Sequence, residues 1–248
     1  MKTLERIDIT ETSTKNKEPF IQDIVRYRFA CEYLSGGNTL DIACGTGYGT
    51  RMLSDLGGKV IGVDISEEAV GLANSYYSRE SLFFTVGSAT KLPLGNNTQD
   101  VVISFETIEH LPEPAIFLNE LIRVIRPRGT VIISTPLNES ISRFRPVNPF
   151  HLREYSSIEF KTMISNTFGD KFTLYSQITI STSDPFVDNV ERYHAGRILR
   201  RVLRWLIPTA LRRSIRNKLR LEGLSPKHSE IVEGSYENAH VQIVVIHM

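Results

Sequence analysis

Short apolar runs alternate along most of the chain with longer stretches in which apolar residues recur every three or four positions. The short runs are typical of buried strands, and the longer stretches are typical of amphipathic helices. This alternation predicts an α/β fold, a parallel sheet with helices on both faces. Strands are expected at residues 39–43, 59–64, 82–86, 100–105, 130–135, 172–180 and 241–248, and helices at 19–34, up to 56, from 66, and at 116–125 and 157–165.

The last two predicted strands lie far apart in the chain. If they pair antiparallel, as a hairpin that completes a seven-stranded sheet, the residues between them form an insertion. A chain of 248 residues is long enough for one well-buried core. We therefore expect a single domain over residues 1–248, with a basic helical insertion at residues 185–235.

The basic residues of that insertion are concentrated in one segment. Ten Lys and Arg residues and no Asp or Glu lie between Arg192 and Arg220, although the net charge of the whole chain is only +1. Apolar residues recur with helical period at 196–207 and 211–219, which predicts basic amphipathic helices. Such helices suit an anionic membrane surface, a phosphate-rich acceptor or a nucleic acid. Alternatively, their apolar side packs on the protein's own sheet or across a homodimer.

The composition of the chain limits the cellular compartments and the classes of partner that we expect for it. No apolar run approaches the length that spans a bilayer, and the first twenty residues are mostly polar. Two cysteines, Cys31 and Cys44, are too few for a disulfide framework. These features predict a cytoplasmic protein, with peripheral attachment to the inner membrane surface through residues 196–220 as an option. The chain outside the basic segment contains 19 basic and 28 acidic residues, and this acidic excess disfavours a nucleic-acid partner.

The stretch DIACGTGYGT, residues 41–50, places three glycines between a predicted strand and a predicted helix. Its spacing departs from the G-x-G-x-x-G pattern of dinucleotide sites. Asp41 comes before the glycines, where a carboxylate suits a cationic amino group better than a pyrophosphate. Asp64 ends the second predicted strand, where it can accept both hydroxyls of a ribose. The pair fits a nucleoside with a positively charged amino-acid tail; the alternative is that the glycines only form a tight turn.

Five motifs in order resemble the class I S-adenosylmethionine-dependent methyltransferases: LDIACGTGYGT, VIGVDIS, FFTVGSATKLPL, QDVVISFETIEHLPEP and LIRVIRPRGTVIISTP. The resemblance runs from about residue 20 to residue 165. It implies S-adenosyl-L-methionine as the cofactor and a Rossmann-like sheet of seven strands, the last two of which form an antiparallel hairpin. It departs at Ser88, where relatives often carry an acid that accepts from the adenine amino group. In the first predicted helix, Arg26 or Arg28 could reach the cofactor carboxylate. The expected cofactor-binding residues are Asp41, Ala43, Gly45, Gly47, Gly49, Asp64, Ile65, Ser88, Ala89 and Phe105.

Glu106, Glu109 and His110 follow the fourth predicted strand. On a helical turn, the spacing i, i+3, i+4 would place the three side chains on one side. Two carboxylates and an imidazole suit Mg²⁺ or a similar divalent ion. The E-x-x-E-H pattern is similar to that of ubiquinone-biosynthesis O-methyltransferases and of small-RNA 2′-O-methyltransferases. The resemblance to the RNA enzymes implies His151 as a fourth ligand; alternatively, Glu109 and His110 are structural, or His110 is a general base.

These patterns predict methyl transfer from S-adenosylmethionine to a hydroxyl oxygen of a small-molecule, sugar or lipid-linked glycan acceptor. Glu106, Glu109 and His110 are the expected catalytic residues. The enzymatic alternative is a metal-dependent RNA 2′-O-methyltransferase. The non-enzymatic alternative is a cofactor-binding scaffold that docks through its basic helices.

Overall fold

An eight-stranded sheet forms the centre of the molecule in this computed structural model, which describes residues 17–139, 146, 148–180, 228–234 and 239–248. The strands are β1 Asn38–Ile42, β2 Lys59–Asp64, β3 Leu82–Val86, β4 Gln99–Ser104, β5 Ile125–Pro136, β6 Phe172–Ile180, β7 His228–Glu233 and β8 Ala239–His247. The helices are α1 Lys17–Cys31, α2 Tyr48–Leu53, α3 Glu67–Tyr77, α4 Pro114–Val124 and α5 Ser157–Phe168, with 3₁₀ turns at Ser54–Leu56 and Ile108–His110.

The order of the strands across the sheet is β3-β2-β1-β4-β5-β8-β6-β7. The first five strands pair in parallel. β8 lies between β5 and β6 and pairs antiparallel with both. The α/β class and the antiparallel pairing of the last two predicted strands are therefore confirmed.

The sheet has one more strand than the predicted seven. β7 lies at the edge of the sheet beside β6. Its sequence HSEIVE contains only Ile231 and Val232 as apolar residues, and both are half-buried. An edge strand of this kind carries little hydrophobic signal, which is why the pattern did not reveal it.

Most of the predicted basic insertion lies outside the described residues. That part comprises residues 185–227 and residue 235, and it contains the whole basic segment from Arg192 to Arg220. The helical prediction therefore stays a prediction there, whereas residues 228–233 form a strand instead. Within the described ranges, no helix is long and apolar enough to cross a membrane.

Alternation along β1 shows how the two faces of the sheet are used. Leu40 and Ile42 belong to the hydrophobic cluster that also contains Phe117 of α4 and Phe160 of α5. Asp41, which lies between them, bonds instead to side chains of α1 and α2. Successive residues of a strand point to opposite faces, so helices cover both faces of the sheet.

Candidate active site

The described site residues lie where the parallel strands end. β1 leads into the glycine turn, β2 ends at Asp64, and β4 leads into residues 105–110. In an open sheet of parallel strands, ligands bind at this carboxyl edge. The fold therefore brings the predicted cofactor residues and the predicted catalytic residues to one edge.

The three glycines of the turn have different surroundings. A Cβ built on Gly47 would lie 2.6 Å from the Phe84 ring, and one built on Gly49 would lie 2.0 Å from the Tyr27 ring. These two positions need glycine because the protein packs against them. A Cβ on Gly45, whose φ is +55°, meets none of the described residues within 4 Å. Gly45 is therefore the glycine that leaves room for a ligand.

Asp64 joins the glycine turn to the start of α3. Its Oδ2 accepts a hydrogen bond from the amide of Gly45 at 2.8 Å, and its Oδ1 accepts one from the amide of Ser66 at 2.9 Å. Ser66 itself caps α3, since its hydroxyl accepts from the amide of Ala69. The two amides fix the carboxylate and leave further lone pairs that can accept from a ribose.

Three predicted cofactor-binding residues lie beyond the ends of β2 and β3. Ile65 is 64% exposed and offers an apolar surface to a flat base. The hydroxyl of Ser88 lies 2.8 Å from the hydroxyl of Thr90 and also accepts from the Thr90 amide at 3.2 Å. Ser88 is thus part of a local turn with half-buried Ala89, and its contact with adenine stays a prediction.

The carboxylate of Asp41 is completely buried under the glycine turn. It accepts from the hydroxyl of Thr50 at 2.6 Å and from that of Tyr27 at 3.1 Å. Burial raises the pKa of Asp41 to about 7 against the effect of these hydrogen bonds, and the charge of Asp64 adds to the increase. The predicted contact of Asp41 with a cofactor amino group stays a prediction.

Tyr27 of α1 is a candidate residue that the sequence analysis missed. Its ring stacks edge-on against Phe105 at 5.2 Å between centroids and packs on Gly49. Its hydroxyl reaches Asp41. A tyrosine fourteen positions before Asp41 gives no sequence signal, because α1 approaches the glycine turn only through the tertiary fold.

The two arginines proposed for the cofactor carboxylate have different environments. Arg28 is exposed, whereas Arg26 is buried. Arg26 donates to Gln177 of β6 at 2.7 Å and pairs with Asp23. Burial acts to lower the pKa of Arg26, but the nearby charges of Glu106 and Asp23 outweigh it, so that the pKa is raised.

Glu109, His110 and His151 form a cluster whose ligand atoms all lie within 4.8 Å of one another. Glu109 is fully buried, and its Oε2 accepts from the hydroxyl of Thr135 at 3.1 Å. Its Oε1 is buried without a hydrogen-bond partner among the described residues. Burial raises the pKa of Glu109 well above its ordinary value, and the charge of Glu106 adds to this effect.

The structure does not bring Glu106 into this cluster, in contrast to the predicted arrangement on one helical turn. Glu106 has a left-handed backbone with φ of +48°, and only Ile108–His110 form a helical turn. The carboxylate of Glu106 accepts from the hydroxyl of Ser134 at 2.7 Å, and its amide donates to the Ser134 carbonyl oxygen at 3.2 Å. The i, i+3, i+4 rule requires a helical backbone at all three positions, and Glu106 does not have one. Its side chain is bonded to β5 instead.

Backbone contacts bring His151 to Glu109 across about forty residues of sequence. The carbonyl oxygen of Glu109 accepts from the amides of Leu152 and Arg153 at 2.9 and 3.2 Å. The Nδ1 of His110 lies 3.1 Å from the carbonyl oxygen of Phe150. The rings of His110 and His151 meet edge-on, with their centroids 4.9 Å apart. The predicted fourth ligand is thus adjacent to the predicted pair.

A protein-family model described as a methyltransferase domain matches residues 40–133. This range contains the glycine turn, Asp64 and the first two members of the Glu109–His110–His151 cluster. The chain carries a methyltransferase domain at residues 40–133, and the proteins that it resembles include S-adenosylmethionine-dependent methyltransferases. The predicted family and the α/β methyltransferase fold are confirmed, and the family implies S-adenosylmethionine as the cofactor.

The curated relatives match about half of this chain. A probable S-adenosylmethionine-dependent methyltransferase of Mycolicibacterium smegmatis is 36% identical over 142 residues, which are 56% of this chain and 54% of the relative. A ubiquinone biosynthesis O-methyltransferase of Methylococcus capsulatus is 32% identical over 114 residues, which are 45% and 48% of the two chains. The methyltransferase chain thus spans about half the length of the curated relatives it matches.

A solved structure confirms the fold over nearly the whole chain. It is a methyltransferase of Thermotoga maritima described as a possible histamine N-methyltransferase, with a TM-score of 0.59. It covers 91% of this chain and 89% of its own, at 18% sequence identity. At this identity the likeness concerns the fold alone, since one fold hosts many chemistries.

Proposed function

We propose that this methyltransferase transfers the methyl group of S-adenosylmethionine to a hydroxyl oxygen, with a divalent ion held by Glu109, His110 and His151. The observation that carries the proposal is the cluster of three ligand atoms within 4.8 Å at the carboxyl edge of the sheet. The acceptor we propose is a small molecule, a sugar or a lipid-linked glycan.

The residues of the cluster fit a divalent ion. Glu109 presents a buried oxygen without a partner among the described residues, and a buried carboxylate of this kind is costly unless a cation or a donor approaches it. One carboxylate and two imidazoles are ligands of intermediate hardness, which suit Mn²⁺, Fe²⁺ or Zn²⁺ and are less typical of Mg²⁺. The donor set therefore supports a metal centre, and it suits Mn²⁺, Fe²⁺ or Zn²⁺ better than Mg²⁺.

The glycine turn fits S-adenosylmethionine. No described residue would meet a Cβ on Gly45, and Asp64 has its carboxylate fixed beside that glycine by two amides. Ile65 exposes an apolar side chain next to that carboxylate. A ribose on Asp64 would place an attached adenine near Ile65, which agrees with a nucleoside ligand.

Methyl transfer to oxygen breaks the carbon–sulfur bond of the sulfonium, forms a carbon–oxygen bond and releases the hydroxyl proton. When bound, S-adenosylmethionine would supply the electrophilic methyl group, and the divalent ion would supply Lewis-acid chemistry. The chain's own residues orient the reactants and exclude water. Glu109, His110 and His151 would hold the metal, and Asp64 and the glycine turn would hold the cofactor at the same sheet edge.

The choice of oxygen as the methylated atom has two supports. The cluster resembles a metal centre that can favour an alkoxide, and several relatives are named ubiquinone biosynthesis O-methyltransferases. The choice of a sugar or lipid-linked acceptor depends on the segment NPFHLREY and on the basic segment 192–220, which lies outside the described residues.

The test measures methyl transfer from radiolabelled S-adenosylmethionine to a panel of phenols, sugars, lipid-linked sugars and a short RNA. Removal of metal with EDTA should reduce transfer at least 100-fold, and Mn²⁺, Mg²⁺ or Zn²⁺ should restore it. Full activity after chelation would reject the metal centre. Micromolar binding of S-adenosylhomocysteine without turnover of any acceptor would instead favour the non-catalytic scaffold.

A matched pair of variants separates the cluster from its surroundings. Glu109→Gln removes a ligand of the cluster, whereas Glu106→Gln changes the carboxylate that the structure bonds to Ser134. Calorimetric titration with Mn²⁺ should show binding lost in the first variant and retained in the second. Equal losses in both variants would contradict the division that the structure makes between the two glutamates.

A further inference from the structure

A buried glutamate lies three residues after His151. Glu154 is only 5% exposed, although it belongs to a loop between β5 and α5. Burying a carboxylate is costly unless hydrogen bonds compensate it. Neither the sequence patterns nor the proposed metal centre accounts for a buried carboxylate at this position.

The carboxylate of Glu154 accepts hydrogen bonds on both of its oxygens. Oε1 lies 2.8 Å from Nδ1 of His151 and accepts from the amide of Asn148 at 3.2 Å. Oε2 accepts from the side-chain amide of Asn138 at 2.7 Å. Asn138 is itself buried and is bonded to the backbone of Tyr155. The position of the carboxylate is therefore fixed from two sides.

This arrangement determines which nitrogen of His151 is basic. An ionised carboxylate has no proton to donate, so Nδ1 of His151 must carry the hydrogen. In the neutral imidazole the lone pair then lies on Nε2. Histidines that bind metals typically donate their other ring N–H to a carboxylate or a carbonyl, which orients the ring and increases its basicity.

We propose that Glu154 is a positioning residue, which fixes the Nδ1–H tautomer of His151 and directs Nε2 toward Glu109 and His110. The backbone of the loop is already held, because the amides of Leu152 and Arg153 bond to the Glu109 carbonyl oxygen. What the backbone leaves undetermined is the rotation and the tautomer of the imidazole ring. Glu154 sets both. The orientation concerns the free protein, and its use in metal binding rests on the proposed function.

The first test is spectroscopic and needs no metal. Long-range ¹H–¹⁵N correlation spectra of the full chain, recorded where the imidazole is neutral, distinguish the two tautomers of His151. The expected result is a protonated Nδ1 and an unprotonated Nε2. A protonated Nε2 in the wild-type protein would overturn the proposal, whatever any variant does.

The second test measures Mn²⁺ affinity in Glu154→Gln. A glutamine offers only one acceptor oxygen. That oxygen can accept either from His151 and Asn148 or from Asn138, and the NH₂ group then meets donors on the other side. We expect Mn²⁺ affinity to fall 10- to 100-fold, as is typical when a residue supporting a metal ligand is changed. Affinity for S-adenosylhomocysteine should stay within about twofold, because Glu154 lies away from the glycine turn in the sheet order.

The matched control is Glu159→Gln. Glu159 caps α5 by accepting from the amide of Ser156 at 2.9 Å, so it is a nearby carboxylate with a structural role. This variant should lower the melting temperature slightly and leave Mn²⁺ affinity and the His151 spectrum unchanged. If Glu154→Gln binds Mn²⁺ as well as the wild type does, Glu154 only stabilises the loop and the proposal is wrong.

The failure of this proposal is distinguishable from the failure of the proposed function. If the wild-type protein binds no divalent ion, the metal centre is rejected and the tautomer of His151 alone decides the role of Glu154. If the wild-type protein binds Mn²⁺ but shows the Nε2–H tautomer, the metal centre stands and the positioning role is rejected. A Glu154→Gln variant that does not fold leaves the wild-type spectrum as the deciding measurement.

Discussion

The proposed site has two halves, which differ in how their carboxylates are satisfied. The cofactor half comprises residues 41–49, 64–66 and 87–89, which lie at the carboxyl ends of β1, β2 and β3. The acceptor half comprises residues 105–110 and 148–155, which follow β4 and β5. Both halves lie at the carboxyl edge of one sheet.

In the cofactor half, the protein itself satisfies the carboxylates. Asp64 accepts two backbone amides, and Asp41 accepts the hydroxyls of Thr50 and Tyr27. In the acceptor half, Glu109 keeps a buried oxygen without a partner among the described residues. Folding therefore fixes the carboxylates of the cofactor half, although the buried hydroxyl of Thr46 there has no partner among the described residues either. We propose that a bound ligand completes the environment of Glu109 in the acceptor half.

The largest effect we expect is on cofactor binding in Asp64→Ala. Loss of a charged acceptor for two ribose hydroxyls, at about 1.5 kcal/mol or more for each bond, corresponds to at least a 100-fold lower affinity. Calorimetry with S-adenosylhomocysteine measures it. Asp100→Ala is the control, since Asp100 pairs with Arg126 at the opposite end of β4 and should not affect binding. Unchanged affinity in Asp64→Ala would contradict the assignment of the cofactor half.

Two glycine variants separate packing from ligand binding within the cofactor half. Gly49→Ala should lower the free energy of unfolding by about 1–3 kcal/mol, because its Cβ would overlap the Tyr27 ring. Gly45→Ala should cost about 1 kcal/mol for its left-handed backbone, but it should lower cofactor affinity about tenfold. Denaturant unfolding and calorimetry distinguish the two, and equal effects on affinity would contradict the division.

A smaller effect concerns the pH dependence of the cofactor half. Asp41, with a pKa of about 7, is protonated below that pH and cannot then pair with an amino group. Affinity for S-adenosylhomocysteine should therefore increase as the pH rises from 5 to 7 and level off above 7. The increase is at most about tenfold per pH unit. Asp41→Asn should remove the pH dependence, and a wild-type affinity independent of pH would show that Asp41 does not meet the cofactor cation.

The same pKa predicts the opposite trend for the free protein. The pKa of Asp41 in the folded state is higher than about 3.9, the ordinary value of an unfolded aspartate. The folded state then binds more protons between these two values, so its stability decreases as the pH rises from about 4 to about 7. Unfolding curves of wild type and Asp41→Asn, compared across this range, measure the contribution.

The smallest effect we expect is from Ser88→Ala. The hydroxyl of Ser88 bonds to Thr90, so its loss should weaken cofactor binding by about threefold or less. Calorimetry again gives the answer. A loss of thirtyfold or more would show that Ser88 replaces the acidic residue which relatives often carry there.

Local sequence patterns predicted those site residues whose contacts form within one continuous stretch of the chain. Asp64, Ser66 and the glycine turn are contiguous with a strand end and a helix start, so spacing alone identifies them. The edge strand β7 and the buried Glu154 were missed because neither gives a clear local sequence signal. An isolated glutamate in a sequence is normally interpreted as a surface residue. The burial of Glu154 depends on contacts that span the loop.

Glu106 shows where local patterns mislead. The spacing of Glu106, Glu109 and His110 suggested one helical turn, but the turn begins only at Ile108. With a left-handed backbone at Glu106, the side chain leaves the direction of the other two and bonds to Ser134 of β5. A single backbone angle, which the sequence does not display, decided whether the glutamate joined the cluster.

The sequence by itself determined the α/β class, the strand-end motifs and the methyltransferase family, because each depends on periodicity or on contiguous residues. Only the tertiary structure decided that Tyr27 reaches Asp41, that His151 reaches Glu109 and that Glu154 lies behind His151. These contacts join residues from separate elements. Their formation depends on how α1 and the 148–155 loop pack against the sheet edge, and that packing is a property of the whole fold.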